Sequence, residues 1–196
     1  MVKDANIFSS FALMSQQTYQ KIPFVWQEPQ SPVKVPSRLE FKVAKTLGYE
    51  VLLSTVAQVM ELSLDARDQK QVSKYGSDQA AEKFITEAKD GFFYQDQWWQ
   101  VGVNSDSKVV GFIFPVIYEN STKDGREEAT IYYIGVLPQY RGQGFGTDLL
   151  LKGTSVLQDV GVWRVFCDTD VNNIPMISTF KEVGYQQHSE PYLRPL

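Results

Sequence analysis

The stretch Gln139-Tyr140-Arg141-Gly142-Gln143-Gly144-Phe145-Gly146 constrains this chain more than any other. It follows residues 131–137, rich in β-branched and aromatic side chains, and precedes residues 147–160, whose apolar positions recur at helical spacing. It is therefore a strand-to-helix turn. Glycines at 142, 144 and 146 remove side chains that would hold a ligand away from the main chain, and they allow backbone angles that other residues resist. A row of backbone N–H groups at a helix N-terminus results, where the dipole favours an anion, and Arg141 adds a full charge beside it. The stretch predicts a pyrophosphate cradle.

The elements around the turn narrow what it serves. Residues 38–43 alternate, with Leu39, Phe41 and Val43 on one side, as in a half-buried strand. Residues 47–64 place Leu52, Val56, Val59, Met60 and Ser63 on one helical face, and residues 65–74 read as a charged, exposed connection. A second helix spans 77–89, with Ser77 as N-cap and Gly91 just past its end. The period then becomes extended: 92–94, 98–103, 109–118 and 129–137 predict antiparallel strands. After the turn, Leu149, Leu150, Val156, Leu157 and Val160 form a buried helical stripe that stops at Gly161. Residues 163–168 are a strand that must run parallel to 129–137, because a helix joins the two in a right-handed crossover. A short helix at 174–183 ends at Gly184, and 185–193 returns as a last strand. The order β-α-α-β-β-β-α-β-α-β is an α/β fold with a mixed sheet, mostly antiparallel with one parallel crossover.

The 196 residues suit one domain carrying an arm. Four of the nine prolines fall within 1–36, which predicts an extended, Pro-rich arm ahead of a domain at 37–196. Phe24, Val25 and Trp26 anchor the arm, either on the domain or on a second subunit of a homodimer. A net charge of -4 argues against sequence-independent binding to nucleic acid, which rests on clustered Lys and Arg. No run is long enough to span a membrane, and Asn6, Ser9 and Ser10 interrupt any signal-peptide core. The single Cys167 cannot form an internal disulfide, which fits a reducing compartment and a cytoplasmic location. No His, Cys and acid cluster has metal-ligand spacing.

Two other nucleotide-binding patterns compete for the turn. Gly142-x-Gly144 could open a dinucleotide fingerprint with Asp168 as the ribose acid, but the third glycine would fall at Thr147, and antiparallel strands precede the unit. A phosphate-binding P-loop would need Gly-Lys-Ser/Thr, which is missing.

The chain instead resembles the GNAT superfamily of acyl-CoA-dependent N-acyltransferases. The element order matches, and the family signature of Gln or Arg, two residues, Gly, one residue, Gly or Ala stands here as Gln139, Gly142 and Gly144. A second family stretch runs from Asn173 through Phe180 to Gly184-Tyr185. The resemblance covers about residues 37–194. It implies an acetyl-CoA-dependent N-acetyltransferase acting by direct transfer on a small-molecule amine. Its rivals are a protein N-terminal or lysine acetyltransferase and a non-catalytic acyl-CoA-binding module.

The resemblance also implies where each part of the cosubstrate lies. Backbone N–H groups of Gln139, Arg141, Gly142, Gln143, Gly144, Phe145 and Gly146 would hold the pyrophosphate, and Thr147 could add a hydroxyl. In the family the strand before the turn carries a bulge and splays from the next strand. Pantetheine then runs along Ile134, Gly135 and Val136, with an amide near Ile134 or Gly135 polarising the thioester carbonyl. Asn173 matches a pantetheine contact. Transfer needs a neutral amine, whereas a free alkyl amine has a pKa of about 10. Asp168, where some members carry a glutamate base, and Asp170 are the candidate bases; each is as readily a helix cap, an acceptor of loop amides, or a counter-charge for a cationic substrate. Where the family commonly has a tyrosine to protonate the departing thiolate, this chain has Phe180. Tyr132, Tyr133 and Tyr185 are the nearest hydroxyls, though sheet packing is their commoner fate. His188 reads as a surface residue, Cys167 as a buried small hydrophobe, Glu127 and Glu128 as a solvated strand end, and Trp98-Trp99 as core. The acceptor would be shaped by residues 48–76.

Overall fold

A computed structural model describes residues 17–27 and 33–196. Among the described residues, eight strands form one sheet: β1 (Thr18–Gln27), β2 (Glu40–Val43), β3 (Gln100–Val103), β4 (Val109–Ile117), β5 (Glu128–Val136), β6 (Arg164–Asp170), β7 (Gln186–Gln187) and β8 (Tyr192–Pro195). Their spatial order is β2-β3-β4-β5-β6-β1-β7, with β8 also pairing β1. Every pair is antiparallel except β5 and β6. Helices α1 (Tyr49–Glu61), α2 (Ala66–Tyr75) and α3 (Ser77–Gly91) precede β3, while α4 (Phe145–Val160) and α5 (Ile174–Val183) follow β5 and β6.

The two helix groups cover opposite faces. Neighbouring residues Phe112 and Ile113 of β4 show the division. Phe112 shares its face with Gly135, against which Val59 of α1 packs so closely that an added Cβ would lie 2.5 Å from Val59 Cγ1. Ile113 meets α4 at Gly153, where an added Cβ would come within 2.5 Å of Ile113 Cδ1. On the α4 side, the Tyr185 hydroxyl hydrogen-bonds Thr154 of α4 at 2.8 Å, and Phe180 of α5 stacks on Phe24 of β1 at 5.0 Å.

The structure corrects several expectations drawn from sequence. Residues 1–16 and 28–32 of the expected arm lie outside the described residues, but residues 18–27 are a full strand of the sheet. β1 pairs β6 along seven residues on one side and β8 and β7 on the other. Pro23 falls where β8 has ended and β7 has not begun, so its missing N–H breaks no ladder there. Phe24 and Trp26 are almost wholly buried. The expected charged connection at 65–74 is helix α2, started by Asp65, whose side chain accepts the N–H of Arg67 at 2.9 Å. Ser77 is not a cap; Gly76, at φ 80°, joins α2 directly to α3. Residues 92–94 contribute one isolated bridge, Phe93 to Ile117, and the last strand is split into β7 and β8.

One irregularity decides the shape of the centre. Phe114 pairs with Tyr133 and Pro115 with Ile131, so Tyr132 is an extra residue on β5. Pro115 has no N–H to donate, and the ladder skips at that point. The bulge turns consecutive side chains to the same face, and Tyr132 and Tyr133 both pack on Phe84 of α3, at 4.7 and 4.5 Å. Phe24→Ala is expected to cost about 3–5 kcal/mol in chemical denaturation, the range for emptying a buried aromatic site. A loss below about 1 kcal/mol would contradict the placement of β1 inside the sheet.

Candidate active site

β5 and β6 pair only at Glu128–Arg164 and Ala129–Val165. The first pair is pinned by an ion pair, Arg164 Nη2 to Glu128 at 2.6 Å, so Glu128 is a clamp and not a solvated end. Beyond it the strands diverge. The gap opens into a cleft of about 640 Å³, walled by residues 130–136 of β5 on one side and by Phe166, Asp168 and Thr169 of β6 on the other. The glycine turn lines one end. The loop between α1 and α2, with Asp68, Phe84, Lys21 and Arg194, lines the other.

At the turn, Gly142 and Gly144 have φ of 74° and 79°, conformations that favour glycine. Gly144 caps α4 without a side-chain bond. Among the described residues, the N–H groups of 142–146 have no acceptor, so they form a set of donors at a helix N-terminus. The charges around them are spent differently from the sequence expectation. Arg141 points away from the turn: its guanidinium donates to the carbonyls of Val136 (3.1 Å), Leu62 (2.7 Å) and Val59 (3.3 Å), tying the C-terminal end of α1 to β5. Arg38, which carried no signal in sequence, supports the turn from outside by donating to the carbonyls of Gln143 and Gly144 and pairing with buried Asp148 at 2.8 Å. The Thr147 hydroxyl donates to Glu182 of α5 at 2.9 Å and so ties α4 to α5.

Of the residues singled out from sequence, Ile134, Gly135, Val136, Arg141, Gly142, Gly144, Phe145, Gly146, Thr147, Asn173, Phe180 and Asp168 all line the cleft. Gln139, Gln143 and Asp170 do not. Asn173 caps α5 through its side-chain oxygen, which accepts the N–H of Met176 at 3.3 Å. Asp170 is corrected to a structural group: it is 1% exposed, one oxygen accepts from Asn172 and the other accepts the N–H of Ala66, the first residue of α2. Tyr185 is tied to Thr154 away from the cleft, Cys167 is buried with its thiol pushed up to about 12 by burial, and His188 is an exposed residue edge-on to Phe166.

Asp168 is heavily engaged. Tyr192 donates its hydroxyl to it, Lys21 lies at 3.3 Å and Arg194 at 4.0 Å. Lys21 also pairs with Asp65 at 2.6 Å. Burial disfavours the Lys21 ammonium, but Asp65 and Asp168 outweigh burial and raise its pKa above the ordinary lysine value. Lys21 therefore stays charged and joins β1, β6 and the loop ahead of α2. Asp68 lies in the segment that reads from sequence as charged and exposed, yet its side chain turns inward. It is 4% exposed and accepts hydrogen bonds from Ser63 and Tyr133, both at 2.7 Å. A sequence signal did exist, since Asp65 is an N-cap residue and places Asp68 in the first turn of a helix. Among the described residues, no group of three or more His, Cys, Asp or Glu is arranged to hold a metal, and no helix is long and apolar enough to cross a membrane.

A mycothiol acetyltransferase of Pseudarthrobacter chlorophenolicus is 31% identical over 87 residues, 43% of this chain and 26% of that protein. An N-alpha-acetyltransferase of Sulfurisphaera tokodaii is 31% identical over 88 residues, 42% of this chain and 53% of that protein. The chain thus spans about a sixth to a third of the mycothiol acetyltransferases it matches. The crystal structure of a GCN5-related N-acetyltransferase from Sphaerobacter thermophilus superposes with a TM-score of 0.58 at 16% identity, over 90% of this chain and 50% of that one, a likeness of fold. The model of the acetyltransferase (GNAT) family matches residues 60–185, from the end of α1 to the close of α5, and the chain belongs to that family.

Proposed function

We propose that this chain transfers an acetyl group from acetyl-CoA to the amine of a small molecule by direct transfer. The divergence of β5 from β6 carries the proposal, because it joins the free N–H groups of the turn to a cluster of carboxylates through one continuous cleft. Coenzyme A fits both features: its pyrophosphate needs donors at a helix N-terminus, and its narrow pantetheine arm needs a gap between strands. When bound, acetyl-CoA supplies an activated acetyl thioester.

The residues divide the work by position. N–H groups of 142–146 hold the pyrophosphate, while Arg38 and Arg141 hold the turn and α1 in place rather than touching phosphate. The main chain of Ile134, Gly135 and Val136 lies along the pantetheine, and an amide near Ile134 or Gly135 polarises the thioester carbonyl. Asn173, its oxygen used as a cap, turns its amide nitrogen to the cosubstrate. Phe180 walls the site and donates no proton. Asp168 and Asp65 neutralise Lys21 and Arg194 at the acceptor end, so that these cations do not repel a cationic acceptor.

The size of the cleft favours a small acceptor over a protein surface. One observation favours a peptide N-terminus instead. Leu62 and Leu64 at the mouth are 57% and 47% exposed and could take an apolar side chain, and one relative is named for N-alpha-acetylation.

Thiol release from acetyl-CoA, measured with a panel of small amines and of peptides with free N-termini, tests the proposal. Turnover on small amines is expected; turnover on peptides alone would favour the second acceptor class. Tight acetyl-CoA binding without turnover on either would make the chain a binding module. Arg38→Gln is expected to weaken acetyl-CoA binding about tenfold by calorimetry, since the turn loses its outside anchor. Asp168→Asn should lower kcat/KM for a cationic amine by about tenfold, because Lys21 and Arg194 lose a compensating charge and repel the acceptor, and leave cosubstrate affinity unchanged.

A further inference from the structure

Asp68 is a buried carboxylate whose two oxygens have different surroundings. Oδ2 accepts from Ser63 Oγ and from the Tyr133 hydroxyl, each at 2.7 Å. Ser63 Oγ itself accepts the N–H of Asp65 at 3.1 Å, so its proton is directed at Asp68. An ionised carboxylate only accepts, so Tyr133 donates as well. With Oδ2 doubly occupied, a proton arriving at Asp68 must settle on Oδ1. That atom has no hydrogen-bond partner among the described residues and is not sealed off in the interior, and its residue lines the cleft.

The position is built from three directions. Asp68 sits in the first turn of α2, Tyr133 reaches it because the bulge at Tyr132 swings both tyrosines toward Phe84, and Ser63 comes from the loop after α1. Tyr133 is followed by Ile134 and Gly135, so the carboxylate lies beside the part of β5 that the proposed function sets along the thioester. The charged groups facing it come from each neighbouring element. Asp65 opposes its ionisation, Lys21 of β1 favours it but spends its short contacts on Asp65 and Asp168, and Arg67 is turned to Glu87 of α3. Burial, then Asp65, outweighs Ser63, Tyr133 and Lys21, and the carboxyl is held above its ordinary range, closer to what a general base needs. Asp168 has both oxygens engaged and Asp170 is outside the cleft.

We propose that Asp68, through Oδ1, takes the proton from the acceptor ammonium, with Ser63 and Tyr133 as positioning residues. This rests on acetyl transfer to an amine being the reaction. The acceptor enters as an ammonium and gives one N–H proton to Oδ1. Its freed lone pair forms the N–C bond at the acetyl carbon while the C–S bond breaks and its electron pair goes to sulfur. A second N–H proton passes to the thiolate as the amide forms, so Phe180 needs no hydroxyl. Asp68 then returns its proton to water, and the balance is one amide, one thiol and one proton released.

The test compares wild type with Asp68→Asn and Tyr133→Phe, by acetyl-CoA calorimetry, by kcat against pH with the best amine, and by carbon NMR titration of the Asp68 carboxyl in the free protein. Asparagine keeps an acceptor for both hydroxyls. It also removes a carboxyl whose raised pKa costs stability as pH rises past the unfolded value, so Asp68→Asn should melt no lower than wild type at neutral pH. Its acetyl-CoA affinity is expected within about twofold of wild type, with kcat down at least about 100-fold and the acid limb of the pH profile gone. Tyr133→Phe removes a donor to the carboxylate and should move that limb to higher pH. A kcat for Asp68→Asn within about fivefold of wild type, an acid limb that persists in it, or an NMR midpoint in the ordinary carboxylate range would overturn the role of Asp68 alone. A wild type that turns over no amine although the NMR midpoint is raised would overturn the transfer itself, and the role of Asp68 with it.

Discussion

The contact between β5 and β6, two residue pairs long, is the constraint on which the rest of this structure depends. Were the strands paired along their length, the sheet would be continuous and the cleft would not exist. The Arg164–Glu128 ion pair fixes where they meet, and the skip at Pro115 bends β5 just beyond that point. β6 is held from its other side by seven residues of β1, so it cannot follow β5. A segment at the N-terminal end of the sequence thereby keeps open a gap between two strands much later in it.

The charges near the cleft are used mainly for construction. Arg141 and Arg38 both satisfy carbonyl oxygens, and Lys21 links three segments through two carboxylates. At the turn this leaves backbone donors for the anion binding proposed above, and these carry no side-chain entropy and cannot rotate away. At the opposite end the acids separate by environment. Asp170 is consumed by loop amides, Asp168 by cations and a tyrosine, and Asp68 keeps one oxygen toward the cleft. The same residue type performs three tasks because its partners differ.

Much of this was legible in the sequence where a local rule forces the outcome. Glycines 142 and 144 need positive φ, the apolar periods of α1, α4 and β5 specify their faces, and a helix between two strands dictates their parallel pairing. The sequence misled where the decisive contact is distant. Thr18–Gln27 reads as a proline-interrupted arm because its pairing partners are more than a hundred residues away. α2 contains few apolar residues, so its one fully buried side chain, Asp68, hid among outward charges, and its partner Tyr133 is 65 positions on. No spacing rule says which way Arg141 turns; that depended on where α1 ends.

The central claim is that free backbone donors at 142–146 and the unpaired edge of β5 hold one ligand between them. Backbone amide NMR during titration with coenzyme A tests it directly. The account predicts that the largest shifts fall together on residues 142–146 and on Ile134 to Val136, saturating at one common affinity. Shifts confined to other surfaces, or moving at the turn while those of β5 stay fixed, would contradict it.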